Sequence, residues 1–240
     1  MMMFLSVLCI NALLWQVKEV TADEMYLIIG QSNASGRGDL PSRLTSLDDV
    51  TVFNGRRFVR AFEDINRHSS VGRSNLIGYS FAYTFAEEMQ DRLNTDIRLV
   101  SNARGGTRIR DWLPGEIYYN EAVERVRDAV RRTGTRLSGV LWHQGEGDSN
   151  NRNYDDDLRE LIEGLRDEFG RNLPFIAGEL SHARGNRSTR INDQLHDLEG
   201  RVRNYDVVSA SGLNAPDDTH FDRRSLRTLG RRYARAMLRI

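Results

Sequence analysis

The chain has 240 residues, of which 39% are hydrophobic and 28% are charged, so it can bury the core of one good-sized domain. Its 34 basic and 34 acidic residues balance, which argues against a nucleic-acid-binding protein that relies on a positive field. The single cysteine excludes an internal disulfide framework and every cysteine-based zinc site.

The chain opens with an apolar run at 4–15, which is too short to span a bilayer. Small and β-branched residues at 20–22 then precede an acidic pair, as in a secretory signal peptide cleaved after Ala22. The first residues carry no Lys or Arg, so an amphipathic first helix packed on the domain is the alternative. We expect a signal peptide at 1–22, a secreted or periplasmic protein, and a single domain at 23–240.

Short apolar runs alternate with amphipathic stretches along the rest of the chain. The predicted strands are 25–30, 50–55, 96–103, 137–145, 174–180 and 205–213. The predicted helices are 80–93, 120–134, 153–170, 187–202 and 222–239. The clearest strands are continuously apolar, which is typical of strands buried on both faces. The alternation predicts an α/β fold, a three-layer α/β/α sandwich with a central parallel sheet.

Loops that leave the carboxyl ends of parallel strands gather along one edge of a sheet, where ligands bind. Four polar segments fall at such positions, at 30–36, 101–112, 142–148 and 214–222. Their side chains are therefore expected to lie close together, although they are far apart in the sequence.

The first two segments offer a hydroxyl and free backbone donors. Ser32 follows a buried strand and a glycine, so a tight turn can expose its hydroxyl, although Ser and Asn beside Gly are also ordinary turn residues. The Gly105–Gly106 pair lets the backbone approach a ligand closely. A plain loop is the alternative for either segment taken alone.

The other two segments supply an amide, acids and an imidazole. Gln144 offers an NH2 donor, and Glu146 offers a carboxyl group. The lone His143 has no partner at metal-ligand spacing, so we expect no metal site. Asp217 and His220 stand three residues apart, which allows the acid to accept a hydrogen bond from the imidazole. Asp222 is better placed to cap the helix that follows.

Together the four segments contain the groups that acyl transfer to a serine requires. Ser32 is the predicted nucleophile, His220 the general base and Asp217 the residue that orients it. The N–H groups of Ser32 and Gly106 and the amide of Gln144 are the predicted donors to the oxyanion.

These segments resemble the four motif blocks of the SGNH hydrolases. The blocks are Gly30-Gln31-Ser32-Asn33, Gly105-Gly106-Thr107 with Trp112, Gln144-Gly145-Glu146, and Asp217-x-x-His220. More narrowly, they resemble the sialate O-acetylesterase-like branch, carbohydrate esterase family six, which includes acetylxylan esterases. The resemblance spans 25–240. The one departure is Ala34, where the family often has methionine.

The resemblance implies a triad of Ser32, His220 and Asp217, with Glu146 as the alternative acid, and an oxyanion hole that includes Gly106 and Gln144. It implies no metal and no organic cofactor. The expected function is that of a serine esterase that removes O-acetyl groups from a carbohydrate, either a sialic acid or a plant polysaccharide. No nucleic-acid partner and no membrane span are expected, and the sequence does not define an oligomeric state.

Other functions stay open at this point. An SGNH lipase or thioesterase would use the same groups, although the loops near the site are polar and rich in arginine, as at Arg104, Arg108 and Arg110. A noncatalytic carbohydrate-binding module is a second alternative. A flavodoxin-like nucleotide binder ranks last, because no phosphate-binding glycine motif follows the first strand. Trp112 or Trp142 would stack on xylan unless they belong to the core.

Overall fold

The computed structural model describes residues 23–72 and 76–240. The predicted signal peptide at 1–22 lies outside the described residues and stays a prediction. The strands are β1 (Glu24–Gly30), β2 (Ser46–Phe53), β3 (Phe58–Phe62), β4 (Ile97–Ser101), β5 (Leu137–His143), β6 (Phe175–Gly178) and β7 (Tyr205–Val208). The helices are α1 (Ser32–Ser35), α2 (Phe81–Leu93), α3 (Ile117–Thr133), α4 (Tyr154–Phe169), α5 (Asn186–Asp197) and α6 (Arg223–Met237).

The strands form one seven-stranded sheet in the order β3-β2-β4-β1-β5-β6-β7. Every neighbouring pair is parallel except β2 and β3, which are antiparallel. The predicted α/β fold with a central parallel sheet is confirmed. β3 was not among the predicted strands, because this five-residue edge strand contains a charged residue and has no apolar run of its own.

The sheet buries apolar side chains on both of its faces. Along β1, Met25, Leu27 and Ile29 point into the layer that contains α3, α4 and α5. Tyr26 and Ile28 point into the opposite layer, with α2 and α6. Successive side chains of a strand point to opposite faces, so β1 contributes to a core on each side of the sheet. This explains why its sequence is a continuous apolar run. No helix within the described ranges is both long and apolar enough to cross a bilayer.

Two helix ends have clear local causes. At Gly170, α4 stops with a backbone φ of 129°, which disfavours any residue with a side chain. At the start of α6, the Asp222 carboxylate accepts a hydrogen bond of 2.7 Å from the Ser225 N–H. The predicted cap at Asp222 is confirmed, and the loop that precedes α6 is thereby fixed at its end.

Candidate active site

A close approach of two strand ends places Ser32 at the carboxyl edge of the sheet. Gly30 has a φ of 124°, and a Cβ at this position would lie 2.2 Å from the His143 carbonyl oxygen. Only glycine therefore allows the Gln31 N–H to donate to that carbonyl at 2.9 Å. The chain then enters the single turn α1, which begins with Ser32.

The structure brings Ser32, His220 and Asp217 into one hydrogen-bonded chain. The Ser32 hydroxyl lies 2.9 Å from His220 Nε2, although 188 residues separate them. The other ring nitrogen, Nδ1, lies 2.7 Å from Asp217 Oδ2. With Nδ1 protonated and donating to the acid, Nε2 is left to accept the serine proton.

Local hydrogen bonds hold Asp217 as a carboxylate. Its Oδ1 accepts from the N–H groups of Thr219 and His220, at 3.0 and 2.6 Å. Partial burial alone would raise the pKa of Asp217, but these donors and the His220 ring lower it to about 2. Asp217 is therefore charged at neutral pH.

Asn33 ties the loop that carries His220 to the turn that carries Ser32. Its Nδ2 donates to the Thr219 carbonyl at 3.0 Å, and its Oδ1 accepts from the Phe221 N–H at 3.1 Å. The residues on both sides of His220 are thus held by one buried amide. Asn33 was not among the predicted site residues, although its position directly after Ser32 could have indicated a role in the site.

Backbone donors remain free beside Ser32. A side chain at Gly105 would lie 3.5 Å from Ser32 Cβ, so the Gly105–Gly106 turn lies against the serine. No backbone acceptor among the described residues pairs with the N–H of Ser32 or of Gly106. These two groups can therefore donate to an oxygen atom on a bound ligand.

The Gln144 amide is directed toward protein acceptors. Its Nε2 lies within hydrogen-bond distance of three protein acceptors, Thr107 O at 3.0 Å, Asp148 Oδ2 at 2.6 Å and Gln31 Oε1 at 3.1 Å. The residue is fully buried. An amide has only two hydrogens to donate, so none is left for an oxyanion. Gln144 instead joins the loops that follow β1, β4 and β5.

Glu146 does not contact His220, since both ring nitrogens of His220 are already occupied by Ser32 and Asp217. Its Oε1 instead accepts from Asn33 Nδ2 at 2.7 Å. Burial raises the pKa of the Glu146 carboxyl above its ordinary value, and the hydrogen bonds from its own backbone N–H and from Asn33 oppose this only in part. Of the two acids considered for the triad, only Asp217 lies in contact with His220.

The remaining residues singled out in the sequence lie in the core. Trp112 and Trp142 are both fully buried and pack edge to face, with ring centroids 5.6 Å apart. His143 is fully buried too, with Nδ1 3.2 Å from the Tyr233 hydroxyl. In the part of the chain that the structure describes, no group of three or more His, Cys, Asp or Glu side chains could hold a metal ion.

A polar cavity of about 560 Å³ lies between the loops that follow β4 and β5. Its wall includes Gly147, whose N–H donates at 3.3 Å to Gln31, the residue before Ser32. The rest of its lining is Arg108, Arg110, Asp148, Ser149, Asn150, Asn151 and Asp157. Such a surface offers hydrogen bonds to a hydroxyl-rich ligand and little apolar area to a lipid chain.

The mostly parallel sheet and the polar groups at its carboxyl edge define an SGNH-type carbohydrate esterase, a carboxylic ester hydrolase. The sequence profile of one family matches residues 22–239, nearly the whole chain. The protein belongs to this family, the carbohydrate esterases described as sialic acid-specific acetylesterases.

Individual relatives agree with this assignment. A probable carbohydrate esterase of Arabidopsis thaliana is 26% identical over 91% of this chain and 92% of its own. The crystal structure of an Arabidopsis thaliana protein has a TM-score of 0.82 at 25% identity, and the match covers 91% of this chain and 99% of that one. A carbohydrate acetylesterase from Xanthomonas citri shares the fold, with a TM-score of 0.64 at 17% identity, over 89% of this chain and 55% of its own.

Proposed function

We propose that this protein removes O-acetyl groups from a sugar, with Ser32 as the nucleophile, His220 as the general base and Asp217 as the carboxylate that orients His220. The observation that carries the proposal is the continuous hydrogen-bonded chain from Ser32 Oγ through His220 to Asp217, with contacts of 2.9 and 2.7 Å. Serine hydrolases on unrelated folds use this constellation.

In the first step, Ser32 Oγ attacks the acetyl carbonyl carbon while its proton passes to His220 Nε2. The negative charge that develops on the carbonyl oxygen is stabilised by the N–H groups of Ser32 and Gly106. The bond from the carbonyl carbon to the sugar oxygen then breaks, and His220 returns the proton to that oxygen. Water attacks the acetyl-serine in the same way and releases acetate, so the reaction needs no co-reactant other than water.

We further propose that the sugar is a sialic acid rather than a xylan. Arg108 and Arg110 in the cavity wall can pair with the carboxylate of a sialic acid. The two tryptophans that would stack on a neutral polysaccharide are buried in the core. The family to which the chain belongs supports the same choice.

The first experiment compares the wild type with Ser32→Ala on p-nitrophenyl acetate. We expect kcat to fall by at least about 10⁴-fold, as when a serine nucleophile is removed elsewhere. Ser35→Ala is the matched control, because Ser35 is a second buried serine in the same turn and does not contact His220. A folded wild type without activity would favour the noncatalytic binding module, and an active Ser32→Ala variant would disprove the assigned nucleophile.

The substrate is then identified by comparing O-acetylated sialic acid with acetylated xylan. The double variant Arg108→Ala and Arg110→Ala should raise KM for the sialate about tenfold, which is the effect of losing about 1.4 kcal/mol of binding. KM for the xylan should change less. Equal changes for both substrates would contradict the assignment of the two arginines to a carboxylate.

A further inference from the structure

Two buried polar atoms beneath the His220 loop lack a hydrogen-bond partner among the described residues. They are His143 Nε2 and Glu146 Oε2. The two side chains are neighbours, with His143 Nε2 3.9 Å from Glu146 Oε1, and their exposed fractions are only 0% and 3%. Buried polar atoms in folded proteins are nearly always paired, so two unpaired atoms on neighbouring side chains require an explanation.

The hydrogen bonds around His143 identify which of its nitrogens carries the proton. The Tyr233 hydroxyl donates to the Trp142 carbonyl at 2.6 Å, so it must accept from His143 Nδ1. Gly178 makes this approach possible, since a Cβ there would lie 2.2 Å from the Tyr233 oxygen. Nε2 is then an acceptor. Burial also lowers the pKa of His143 to about 3, so the ring is neutral at pH 7.

An acceptor at His143 Nε2 needs a donor, and an ionised carboxylate has none to offer. A protonated Glu146 does provide an O–H donor. The nearest cations favour ionisation only weakly: the Arg184 guanidinium reaches the main-chain oxygen of Glu146 at 3.3 Å, and His220 is bound to Ser32 and Asp217. Burial outweighs both and raises the pKa of Glu146. The other titratable groups around it are the neutral phenols of Tyr154 and Tyr233.

We propose that Glu146 is a neutral carboxylic acid whose O–H is directed toward His143 Nε2, and that it acts through Asn33 as a positioning residue for the loop that carries His220. Glu146 Oε1 accepts from Asn33, and Asn33 in turn holds the Thr219 carbonyl and the Phe221 N–H on either side of His220. The positioning role rests on the proposed function of His220.

The number of protons that His143 and Glu146 bind in the folded and in the unfolded chain can be measured without any substrate. Between about pH 4.3 and 6.5 the unfolded chain carries one proton on His143 and none on Glu146, while the folded pair carries one proton on Glu146. The counts are equal, so the pair adds no pH dependence to the wild-type stability. In Glu146→Gln the unfolded chain still binds the His143 proton and the folded chain does not. Its stability must therefore fall as the pH falls.

Urea unfolding of the wild type and of Glu146→Gln at pH 6 and pH 5 tests this count. The folding equilibrium constant of the variant, divided by that of the wild type, should fall about tenfold from pH 6 to pH 5. Glu160→Gln, an exposed change on α4, is the control and should follow the wild type. If this ratio for Glu146→Gln stays constant, Glu146 is ionised in the folded protein and the proposal is wrong. The carbonyl stretch of a protonated acid in the wild-type-minus-variant infrared spectrum gives a second readout.

Activity separates positioning from a part in the reaction. An amide at position 146 can accept from Asn33 and donate to His143, so kcat of Glu146→Gln should stay within about fivefold of wild type. Glu146→Leu removes both bonds, and kcat should fall about 10²-fold with KM unchanged, as expected for a misplaced catalytic group. A loss in Glu146→Gln as large as that in Asp217→Asn would overturn the positioning role. Failure of the proposed function would instead appear as activity in Ser32→Ala, with the pH result unaffected.

Discussion

Two carboxyl groups near the His220 loop, those of Asp217 and Glu146, differ in burial and in the number of hydrogen bonds they accept. Asp217 has a side chain that is 58% exposed and that accepts three hydrogen bonds. Glu146 is buried and accepts from its own backbone N–H and from Asn33. Hydrogen-bond donors and the His220 ring lower the pKa of Asp217 to about 2, whereas burial raises the pKa of Glu146. Two carboxyl groups near the same histidine therefore have their pKa values shifted in opposite directions by their surroundings.

The same comparison separates two tasks that one acid cannot perform at once. In the proposed reaction, orienting an imidazole that becomes positively charged requires a fixed negative charge, which Asp217 supplies. A group that lies between the acceptor His143 Nε2 and the side-chain amide of Asn33 must be able to donate and to accept. A protonated Glu146 can do both. Exchange of the two environments would disable both tasks.

Among changes to the two carboxyl groups and their surroundings, the largest expected effect is that of Asp217→Asn. An amide cannot fix the protonation of His220 Nδ1 in the same way, so kcat should fall by about 10³–10⁴-fold while KM changes little. Steady-state kinetics on p-nitrophenyl acetate measure this. Asp218→Asn is the matched control, because Asp218 is the adjacent acid and has a positive φ of 64°, which Asn tolerates. Equal losses in the two variants would mean that loop conformation, rather than the Asp217 charge, governs the rate.

The next effect concerns stability on the buried side of the comparison. Gln144→Ala leaves Asp148, the Thr107 carbonyl and Gln31 without their donor, so the free energy of unfolding should fall by about 3 kcal/mol. The kcat of the folded fraction should stay within about tenfold of wild type. Urea titration and kinetics on the same sample measure both. An oxyanion donor would show the reverse pattern, a 10²–10³-fold loss of kcat with unchanged stability.

The smallest expected effect is the pH dependence that Asp217 adds to stability. Its folded pKa of about 2 lies below the ordinary value, so its stabilisation is present above about pH 4 and is lost as the pH falls toward 2. Because the side chain is mostly exposed, the contribution is below about 1 kcal/mol. Urea midpoints of the wild type and Asp217→Asn should differ at pH 6 and converge at pH 2.5. A difference that is constant with pH would show that the charge of Asp217 adds nothing to folding.

The sequence was sufficient for the features that local chemistry determines. The continuous apolar runs predicted the parallel strands, and the position of Ser32 after β1 placed it at the carboxyl edge. The three-residue spacing of Asp217 and His220 predicted their contact, because a short loop allows few other arrangements. The family relationship confirms the predicted fold and esterase class.

The sequence did not reveal the hydrogen bonds that side chains make with distant loops. Gln144 reads as a free donor, but the loop after β4 and Asp148, four residues along, take up its amide hydrogens. Asn33 reads as a turn residue, but its partners lie 186 and 188 residues away. Hydrogen bonds between distant loops leave no periodicity in the sequence.

The contact between Asp217 and His220 is local in the sequence, whereas the contact between His220 and Ser32 depends on the packing of distant segments. Asp217 and His220 share one loop, which is closed by the bond between Asn214 and Asp222 and by the cap at the start of α6. Ser32 is the member brought from the far end of the chain. On gradual heating, we therefore expect activity to be lost when Ser32 and His220 separate, at temperatures where Asp217 and His220 are still in contact.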